Sequence, residues 1–440
     1  TMLLKLLSRP AMSTAAIAPL LLLLPFSTSV GVSAFSPCAF IGTERLARQH
    51  MTRSSSSDIC NNMPATESST ESLTHLPGIS ALPSTYDTYL LDMWGVLHDG
   101  TNPYPGVLDA ISNLKSSQDN NGNNKGNCSS DNNNKPRLIV LSNSSKRTSH
   151  TIAMLTKLGF DPSRDFDDIL TSGEVSWRML SGDTTLRCQS WSVLTDLIAN
   201  ANTNSNAKSD TKKVFVFGSG DNDEEYCTTA GWTLVPIEEA HLILARGTFT
   251  LNDGSGAIVS KKTDGEQAYF AKHDRVLKVA AERQIPMLVS NPDRVRPDAG
   301  LPPMPGAIGD AYERVLLDVS GTSSGEGEDE VKIGESSDLV KRIGKPHSEV
   351  YELALGRQSV RGGNALMVGD ALETDIIGGM NANIDTLWVV KDGIHGPDVD
   401  DVGGYDDGGA EEMLKKFNEG KGYTNGDDVV RPTYTVPNFR

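Results

Sequence analysis

The sequence has little positive charge for its length. Its 440 residues include 57 acidic and 40 basic side chains, and its formal net charge is −17 at pH 7. Nucleic-acid backbones are bound by clustered lysine and arginine, so this balance argues against a nucleic-acid partner. It also implies that an anionic substrate is attracted by a metal ion or a few placed donors rather than by the overall field.

Cysteine is scarce, and its spacing excludes the usual cysteine-based sites. The five cysteines are Cys38, Cys60, Cys128, Cys188 and Cys227. None lies close enough to another to form a CxxC pair, so the pattern indicates neither a disulfide framework nor a zinc site. We expect isolated thiols in a reducing compartment.

No apolar run is long enough for a comfortable membrane span. The longest candidate, residues 15–26, follows Lys5 and Arg9 and is followed by the small residues Val32-Ser33-Ala34. A short apolar region between basic residues and a small-residue cleavage site is typical of a signal peptide. The mature protein is therefore predicted to have no stable membrane span.

A second targeting pattern follows the first. After Phe35-Ser36-Pro37 comes a stretch with Arg45, Arg48 and Arg53, a run of serines and few acids. This composition is typical of a transit peptide. The tandem resembles the bipartite presequences of algae with secondary plastids, which implies import into a plastid (chloroplast). The secretory pathway and the mitochondrion are the alternatives, and residues 1–75 are assigned to this presequence and to disorder.

Four tracts are too polar to form a core. They are residues 116–136, 199–213, 320–338 and 398–428, rich in Asn, Gly, Ser, Asp or Glu. Such tracts bury too little apolar area to offset chain entropy, and long surface loops cost little extra to close. We predict surface loops there.

The rest of the chain alternates between short apolar runs and helical segments. The runs are residues 89–91, 138–141, 214–217, 242–245, 287–289, 365–368 and 386–390. Apolar runs of this length indicate strands buried on both faces. Helical stretches such as 151–158 and 348–355 lie between them, and this alternation predicts an α/β fold with a parallel sheet.

Chemically useful side chains follow several of these predicted strands. Asp92 follows the first run, Ser142 follows the second, and Asp370 and Asp375 follow the run at 365–368, with Lys345 shortly before it. In open α/β sheets, ligands bind beyond the carboxyl ends of the strands. The sequence therefore predicts that three carboxylates, a hydroxyl and a lysine meet at one edge of one sheet.

This set of residues suits phosphoryl chemistry. Clustered carboxylates repel each other, and a divalent cation with a preference for oxygen ligands, such as Mg²⁺, removes that repulsion. A carboxylate can also attack phosphorus to give an aspartyl-phosphate. The lysine, the hydroxyl and backbone N–H groups would then stabilise the phosphoryl charge.

Asp92, Ser142, Lys345 and Gly369-Asp370 with Asp375 occur in the order of four motifs of one family, and the chain resembles the haloacid dehalogenase superfamily over about residues 86–390. The details Ser142-Asn143, Gly344-Lys345-Pro346 and Thr374-Asp375-Ile376 are similar to its class IIA branch. In having Trp94 at this position of the first motif, the chain resembles a small subgroup of that branch. The resemblance implies a Rossmann-like parallel-sheet core with an inserted α/β cap of the C2 type. The implied segments are core 76–171 with an insertion at 116–136, cap 172–290, core 291–397, and a Gly/Asp-rich end at 398–440.

The resemblance also implies roles for individual residues. Asp92 would be the nucleophile, and Ser142 and Lys345 would hold the phosphoryl group. The implied Mg²⁺ site comprises Asp92, the backbone carbonyl of Trp94, Asp370 and Asp375. Asn143, Asn291 and Asp293 would contact substrate, and Asn291-Pro292-Asp293 would be the point where the chain re-enters the core.

One position departs from the family pattern. Phosphatases of the family usually carry a second aspartate two residues after the nucleophile, as the general acid and base, whereas this chain has Trp94. An indole cannot transfer a proton at neutral pH. The substrate could have a good leaving group, or another residue could supply the proton, such as His98, Asp99 or one from the cap. In the third alternative, the protein binds a phosphorylated ligand with little turnover.

The function predicted from these residues is a Mg²⁺-dependent phosphatase of a small phosphorylated metabolite, acting through an aspartyl-phosphate. The alternative is a catalytically weak protein that binds or senses a phosphorylated ligand. None of the motifs identifies the substrate or the oligomeric state, because specificity depends on cap loops that carry no general code.

Overall fold

A computed structural model describes residues 73–116, 135–186, 191–203, 212–296, 300–320, 338–356, 364–423 and 429–440. Almost all of the predicted presequence lies outside these residues, so the targeting assignment stays a prediction. Most of the predicted loops 116–136 and 320–338, and the middle of 199–213, also lie outside them.

The described strands and helices alternate along most of the chain. The strands are β1 (Thr88–Leu91), β2 (Arg137–Ser142), β3 (Asp168–Thr171), β4 (Lys213–Gly218), β5 (Thr233–Leu234), β6 (Leu242–Ala245), β7 (Thr250–Asn252), β8 (Val259–Ser260), β9 (Met287–Val289), β10 (Val340–Arg342), β11 (Ala365–Gly369), β12 (Asp385–Val389) and β13 (Tyr434–Val436). The helices are α1 (Val107–Ser116), α2 (Thr148–Lys157), α3 (Pro162–Asp165), α4 (Ser172–Ser181), α5 (Ser192–Thr203), α6 (Asp223–Thr229), α7 (Lys261–Asp264), α8 (Glu266–Glu282), α9 (Pro305–Val319), α10 (Ser348–Leu355), α11 (Ile377–Asn381), α12 (Gly396–Asp401) and α13 (Gly409–Gly420).

The first sheet is parallel throughout, in the order β13-β12-β11-β1-β2-β3. Its central strand β1 is buried along its whole length, as the apolar run predicts. Alternate side chains point to opposite faces: Tyr89 and Leu91 pack on the side of α1 and α2, and Leu90 packs on the side of α10. The predicted α/β fold with a parallel core sheet is thus confirmed.

The second sheet has the order β10-β9-β6-β4-β7-β8, with β5 alongside β4. Its strands from β10 to β4 are parallel, and β7 and β8 are antiparallel. Val214 and Val216 of β4 pack toward α4 and α6, whereas Phe215 and Phe217 pack toward α8 and α9. The cluster on the α4 side also contains Leu90 of the first sheet, so one hydrophobic core joins the two layers.

The predicted return to the core at residue 291 was wrong. β9 ends at Val289, but the chain then forms α9 and adds β10 beside β9 in the second sheet. The inserted domain therefore continues to Arg342, and the core resumes near Gly344. The short sequence of β10 gives no strong strand signal, and the pairing with β9 is a long-range contact.

The prediction of a surface loop at 398–428 was also wrong for its described residues. They include most of α12 and all of α13. Ala410, Leu414 and Phe417 recur at helical spacing and pack with Trp388 of β12. Beyond this tract β13 adds a sixth strand to the core sheet through pairing with β12. The many glycines and aspartates of this region concealed a short amphipathic helix.

Two negative expectations concern the described residues only. Within them, no helix is both long and apolar enough to cross a membrane. Cys227 is a buried free thiol, and burial raises its pKa to about 12. The other four cysteines lie outside the part of the chain that the structure describes.

Candidate active site

The predicted site residues meet at the carboxyl edge of the first sheet. Asp92 directly follows β1, and Asp370 directly follows its neighbour β11. The chain builds β2 and β3 on one side of β1, and β11 to β13 on the other. The boundary between β1 and β11 is therefore the topological switch point, where open α/β sheets bind their ligands.

A chain of ion pairs connects three of these residues. The Lys345 ammonium lies 2.6 Å from Asp92 Oδ1 and 2.7 Å from Asp375 Oδ1. Lys345 and Asp375 are almost fully buried, and Asp92 keeps 14% of its side chain exposed. Asp375 lies in a single π-helical turn, Leu372–Ile376, and its Oδ2 accepts the Ala371 N–H at 3.1 Å. The nucleophile candidate is the accessible end of an otherwise buried array.

Asp370 is held differently from the other two carboxylates. Its Oδ2 accepts the Ile394 backbone N–H at 2.7 Å, and its own carbonyl accepts the Trp388 indole N–H at 3.0 Å. Gly95 packs so closely that a Cβ there would overlap the Asp370 carboxylate. Among the described residues, no basic side chain forms an ion pair with Asp370.

Burial and mutual repulsion shift the titration of this cluster. Burial, together with the charges of Asp92 and Asp375, raises the pKa of Asp370 well above its usual value. Burial also raises the pKa of Asp375 to about 6, although Lys345 opposes the shift. For Lys345, burial acts to lower the pKa, but the charges of Asp375 and Asp92 raise it more, so the ammonium stays charged.

The donor set fits a hard divalent cation. Asp92, Asp370 and Asp375 each offer a carboxylate oxygen, and these oxygens lie within 4.8 Å of one another. One ammonium cannot neutralise three carboxylates, and the residual repulsion is what a cation with oxygen ligands would remove. The chemistry of these residues therefore agrees with the predicted metal site, to which Trp94 would add only its backbone carbonyl.

Ser142 and Asn143 end β2 next to this cluster. Ser142 is buried, and its Oγ accepts the Ser144 N–H at 3.2 Å, which leaves its hydroxyl hydrogen for another acceptor. Asn143 contacts the backbone of Lys345 twice: its Oδ1 accepts the Lys345 N–H at 2.8 Å, and its Nδ2 donates to the Lys345 carbonyl at 3.0 Å. Asn143 thus holds the lysine in place, which sequence reasoning missed because the two residues are far apart in the chain.

The other two residues predicted to contact substrate lie at the end of β9. Asn291 is buried, and its Oδ1 accepts the N–H of Asp293 at 2.8 Å, an ordinary turn interaction. Asp293 is half-buried and accepts a hydrogen bond from Asn143 Nδ2 at 2.7 Å. Substrate contact by Asn143, Asn291 and Asp293 stays a prediction.

The indole of Trp94 packs over the turn at Gly100, which follows it in the chain. A Cβ on Gly100 would lie 2.6 Å from the Trp94 ring, and the ring centroids of Trp94 and His98 are 6.0 Å apart. The side chain is half-buried. The loop at Ile394 and the turn at Gly100 also shape the site. The sequence could have indicated only the loop at Ile394, because that loop follows a predicted strand.

Two family models match parts of this chain. A family model described as haloacid dehalogenase-like hydrolase matches residues 89–233, and one described as HAD-hydrolase-like matches residues 342–406. The two matches lie on either side of most of the second sheet. They cover the segments that carry Asp92, Ser142, Lys345, Asp370 and Asp375.

A curated relative and two solved structures are similar. Human N-acylneuraminate-9-phosphatase is 42% identical over 55 residues, 12% of this chain and 22% of the human protein, so the match spans less than a quarter of that relative. A possible sugar phosphatase of the HAD superfamily from Cytophaga hutchinsonii has 18% identity and a TM-score of 0.50, over 83% of this chain and 98% of that one. A haloacid dehalogenase-like hydrolase from Brucella suis has 20% identity and a TM-score of 0.47, over 73% and 92%.

At 18% identity, the structure from Cytophaga hutchinsonii shows a shared fold and no more. The family models, together with the four motifs in order at the switch point of a parallel sheet, carry the assignment further. By these models, residues 89–233 and 342–406, which carry the candidate site, belong to the haloacid dehalogenase-like hydrolases. Membership of the class IIA branch stays a prediction from the motifs.

Proposed function

We propose that the protein is a Mg²⁺-dependent phosphatase that hydrolyses a small phosphorylated metabolite through a phosphoryl-Asp92 intermediate. The observation that carries the proposal is the array at the switch point. In it a partly exposed carboxylate lies 2.6 Å from a buried ammonium, beside two buried carboxylates that fit a hard cation.

The chain's own residues support each part of such a reaction. Asp92 is positioned to attack phosphorus, with Lys345 fixing the orientation of its carboxylate. The Lys345 ammonium and the Ser142 hydroxyl are donors for the phosphoryl oxygens. When bound, the cation would neutralise the negative charge that the carboxylates and the phosphoryl group bring together.

The substrate class is proposed from two facts. The net charge of −17 leaves local donors and the cation to attract an anion, which suits a small phosphomonoester. The curated relative is by name an N-acylneuraminate-9-phosphatase, although the match covers only a short segment. A small phosphorylated metabolite agrees with both facts.

The test is phosphate release by the full chain from a panel of phosphomonoesters and acyl phosphates, with and without Mg²⁺. Asp92→Asn is the variant, since it keeps the side-chain shape but removes the nucleophile. We expect metal-dependent release by the wild type and loss of at least about 10³-fold in the variant, the scale on which removal of a catalytic nucleophile acts.

One observation favours a second candidate, a phospho-ligand-binding protein with little turnover. Trp94 replaces the usual acid, and general acid–base help is typically worth ~10²–10⁴-fold. If the folded, Mg²⁺-binding wild type released no more phosphate than Asp92→Asn from every compound, the phosphatase proposal would be wrong. The binding role would then be the one to pursue.

A further inference from the structure

The position of Trp94 leaves the site without its usual proton donor, and the turn that follows does not replace it. Asp99 is exposed, and its Oδ1 accepts the N–H groups of Thr101 and Asn102, both at 2.7 Å. It forms an ordinary turn on the surface.

His98 is unsuitable for a different reason. It is 2% exposed, its Nδ1 accepts the Gly100 N–H at 2.9 Å, and burial lowers its pKa to about 4. The ring is therefore neutral at physiological pH, with its hydrogen on Nε2. A neutral imidazole N–H can donate a hydrogen bond, but it is far too weak an acid to protonate a leaving group.

Another carboxyl group reaches the site from the inserted domain. Asp293 follows β9, and its backbone is held at both ends: its N–H donates to Asn291 Oδ1 at 2.8 Å, and its carbonyl accepts the Gly306 N–H at 2.9 Å. Gly306, in the first turn of α9, lies so close to this turn that a Cβ there would be 2.6 Å from the Asp293 carbonyl oxygen. The second sheet and α9 thus present the Asp293 side chain from a rigid support.

The carboxylate of Asp293 crosses to the first sheet. Its Oδ1 accepts Asn143 Nδ2 at 2.7 Å, and the same amide binds both backbone polar groups of Lys345. Lys345 in turn lies 2.6 Å from the Asp92 nucleophile. Asp293 is therefore connected to the Asp92 nucleophile through two residues, Asn143 and Lys345. Its carboxyl group is close enough for the charges of Asp92 and Asp375 to act on it.

We propose that Asp293 is the acid–base residue of this site and performs the proton transfers that Trp94 cannot. This assignment rests on the proposed phosphatase function and deepens it. Because Asp293 comes from the inserted domain, it also assigns that domain a chemical role.

The surroundings of Asp293 allow both protonation states near neutrality. Burial raises its pKa to about 7, with the charges of Asp92 and Asp375 adding to the rise. The hydrogen bond from Asn143 and the charge of Lys345 oppose it. An acid that also acts as a base works best when its pKa lies near the operating pH.

The two half-reactions balance. In the first, an oxygen of Asp92 forms a bond to phosphorus while the bond from phosphorus to the leaving oxygen breaks, and the carboxylic acid of Asp293 gives its proton to that oxygen. In the second, a water oxygen attacks phosphorus while the Asp293 carboxylate takes the water proton. The bond between Asp92 and phosphorus breaks, inorganic phosphate leaves, and both aspartates return to their starting states.

The experiment compares phenyl phosphate with p-nitrophenyl phosphate, which differ little in size but strongly in the basicity of the leaving phenolate. In the full-length Asp293→Asn variant, we expect kcat/KM for phenyl phosphate to fall at least about tenfold more than for p-nitrophenyl phosphate. For p-nitrophenyl phosphate, kcat should fall while a first-turnover burst of nitrophenolate remains, because hydrolysis of the intermediate still lacks its base.

Asp221→Asn is the matched control. Asp221 is another carboxylate of the inserted domain that contacts the core, 3.1 Å from Lys146, and its variant should change both substrates by the same factor. Equal losses of kcat/KM for the two substrates in Asp293→Asn would overturn the assignment. A larger loss for phenyl phosphate in Asp221→Asn, instead of in Asp293→Asn, would also overturn it. No Mg²⁺-dependent release by the wild type would overturn the proposed function and the assignment with it.

The wild type alone provides a second measurement if Asp293→Asn does not fold. Its kcat/KM for phenyl phosphate should decline as pH rises above about 7, whereas kcat/KM for p-nitrophenyl phosphate should not decline there, since only the poorer leaving group needs the acid. Identical profiles for the two substrates contradict the assignment.

Discussion

Gly95 shows how a single residue without a side chain can shape the candidate metal site. It has φ +84°, a conformation that side chains rarely adopt, and it packs directly against the Asp370 carboxylate. Gly159 has a similar φ of +92° but nothing within 4 Å of a built Cβ. Alanine substitution at Gly159 should therefore add backbone strain alone, whereas alanine at Gly95 should add strain and also displace the Asp370 carboxylate.

We expect Gly95→Ala and Gly159→Ala to share a strain cost of about 1–2 kcal/mol, the usual cost of the left-handed region for an L-residue. Only Gly95→Ala should also weaken Mg²⁺ binding, by at least about tenfold, since disturbing a ligand's support typically costs 10–100-fold. Calorimetric titration of both variants with Mg²⁺ is the measurement. Wild-type affinity in Gly95→Ala would show that Asp370 is not a ligand.

The loop between β4 and α6 is the element that connects the inserted domain to the core on the side of Lys146. Asp223 organises it: its carboxylate accepts the Ser219 and Gly220 N–H groups at 3.0 and 3.1 Å, and it pairs with Arg246 at 2.5 Å. The Arg246 and Asp223 side chains are only 2% and 7% exposed. At the tip of this loop, Ser219 and Asp221 contact the Lys146 ammonium at 3.2 and 3.1 Å.

Because this pair is buried, Asp223→Ala leaves an uncompensated guanidinium, and we expect the free energy of unfolding to fall by about 3–5 kcal/mol. The matched control is Glu238→Ala, which removes the partner of Arg275 from a pair with side chains 49% and 71% exposed, and should cost at most about 1 kcal/mol. Urea unfolding followed by circular dichroism measures both. Similar losses in the two variants would mean that burial does not set the strength of the Asp223 pair.

At the scale of the whole molecule, the carboxylate cluster couples stability to pH. The folded protein holds the pKa of Asp375 at about 6, against 3.8 for a free side chain, and burial also raises the pKa of Asp370 well above its usual value. Between pH 4 and 6 the folded state therefore binds more protons than the unfolded state at these groups. Their contribution to stability is fully present below about pH 4 and is lost as pH rises through the folded pKa values.

A divalent cation offsets this loss, so we expect saturating MgCl₂ to raise the melting temperature more at pH 7.5 than at pH 5. At a hundredfold excess over Kd the stabilisation is about 2.7 kcal/mol, or several degrees. Without metal, the Asp370→Asn variant should have a higher melting temperature than the wild type. MgCl₂ should not raise the melting temperature of this variant. NaCl of equal ionic strength is the control, and equal shifts at both pH values would contradict the cluster as the binding site.

Much of the core was predictable because its signals are local. Strands buried on both faces appear as short apolar runs, and β6 and β9 begin and end where these runs do. Parallel strands point their carboxyl ends to one edge, so residues that follow β1, β2 and β11 had to lie near each other. The sequence alone therefore predicts that Asp92, Ser142 and Asp370 lie close together at one edge of the sheet.

The failures have one physical cause, which is pairing between distant segments. β10 and β13 are three-residue strands at sheet edges. They are strands because they pair with β9 and β12, and their own strand propensity is too weak to predict them. The helix α13 is concealed by glycines and acids until its apolar stripe meets Trp388. The boundary at residue 291 failed for the same reason.

The sequence by itself determined the α/β class, the order of the four motifs and the absence of an acidic residue at position 94, where Trp94 stands. These features depend only on the spacing of apolar residues and on residue types, which are local properties of the sequence. The tertiary structure decided that the Asn143 amide holds Lys345, that Asp370 accepts the Ile394 N–H, and that Asp293 approaches from the inserted domain. These contacts join residues separated by 24 to 202 positions, and only the packing of two sheets around one core brings them within hydrogen-bond distance.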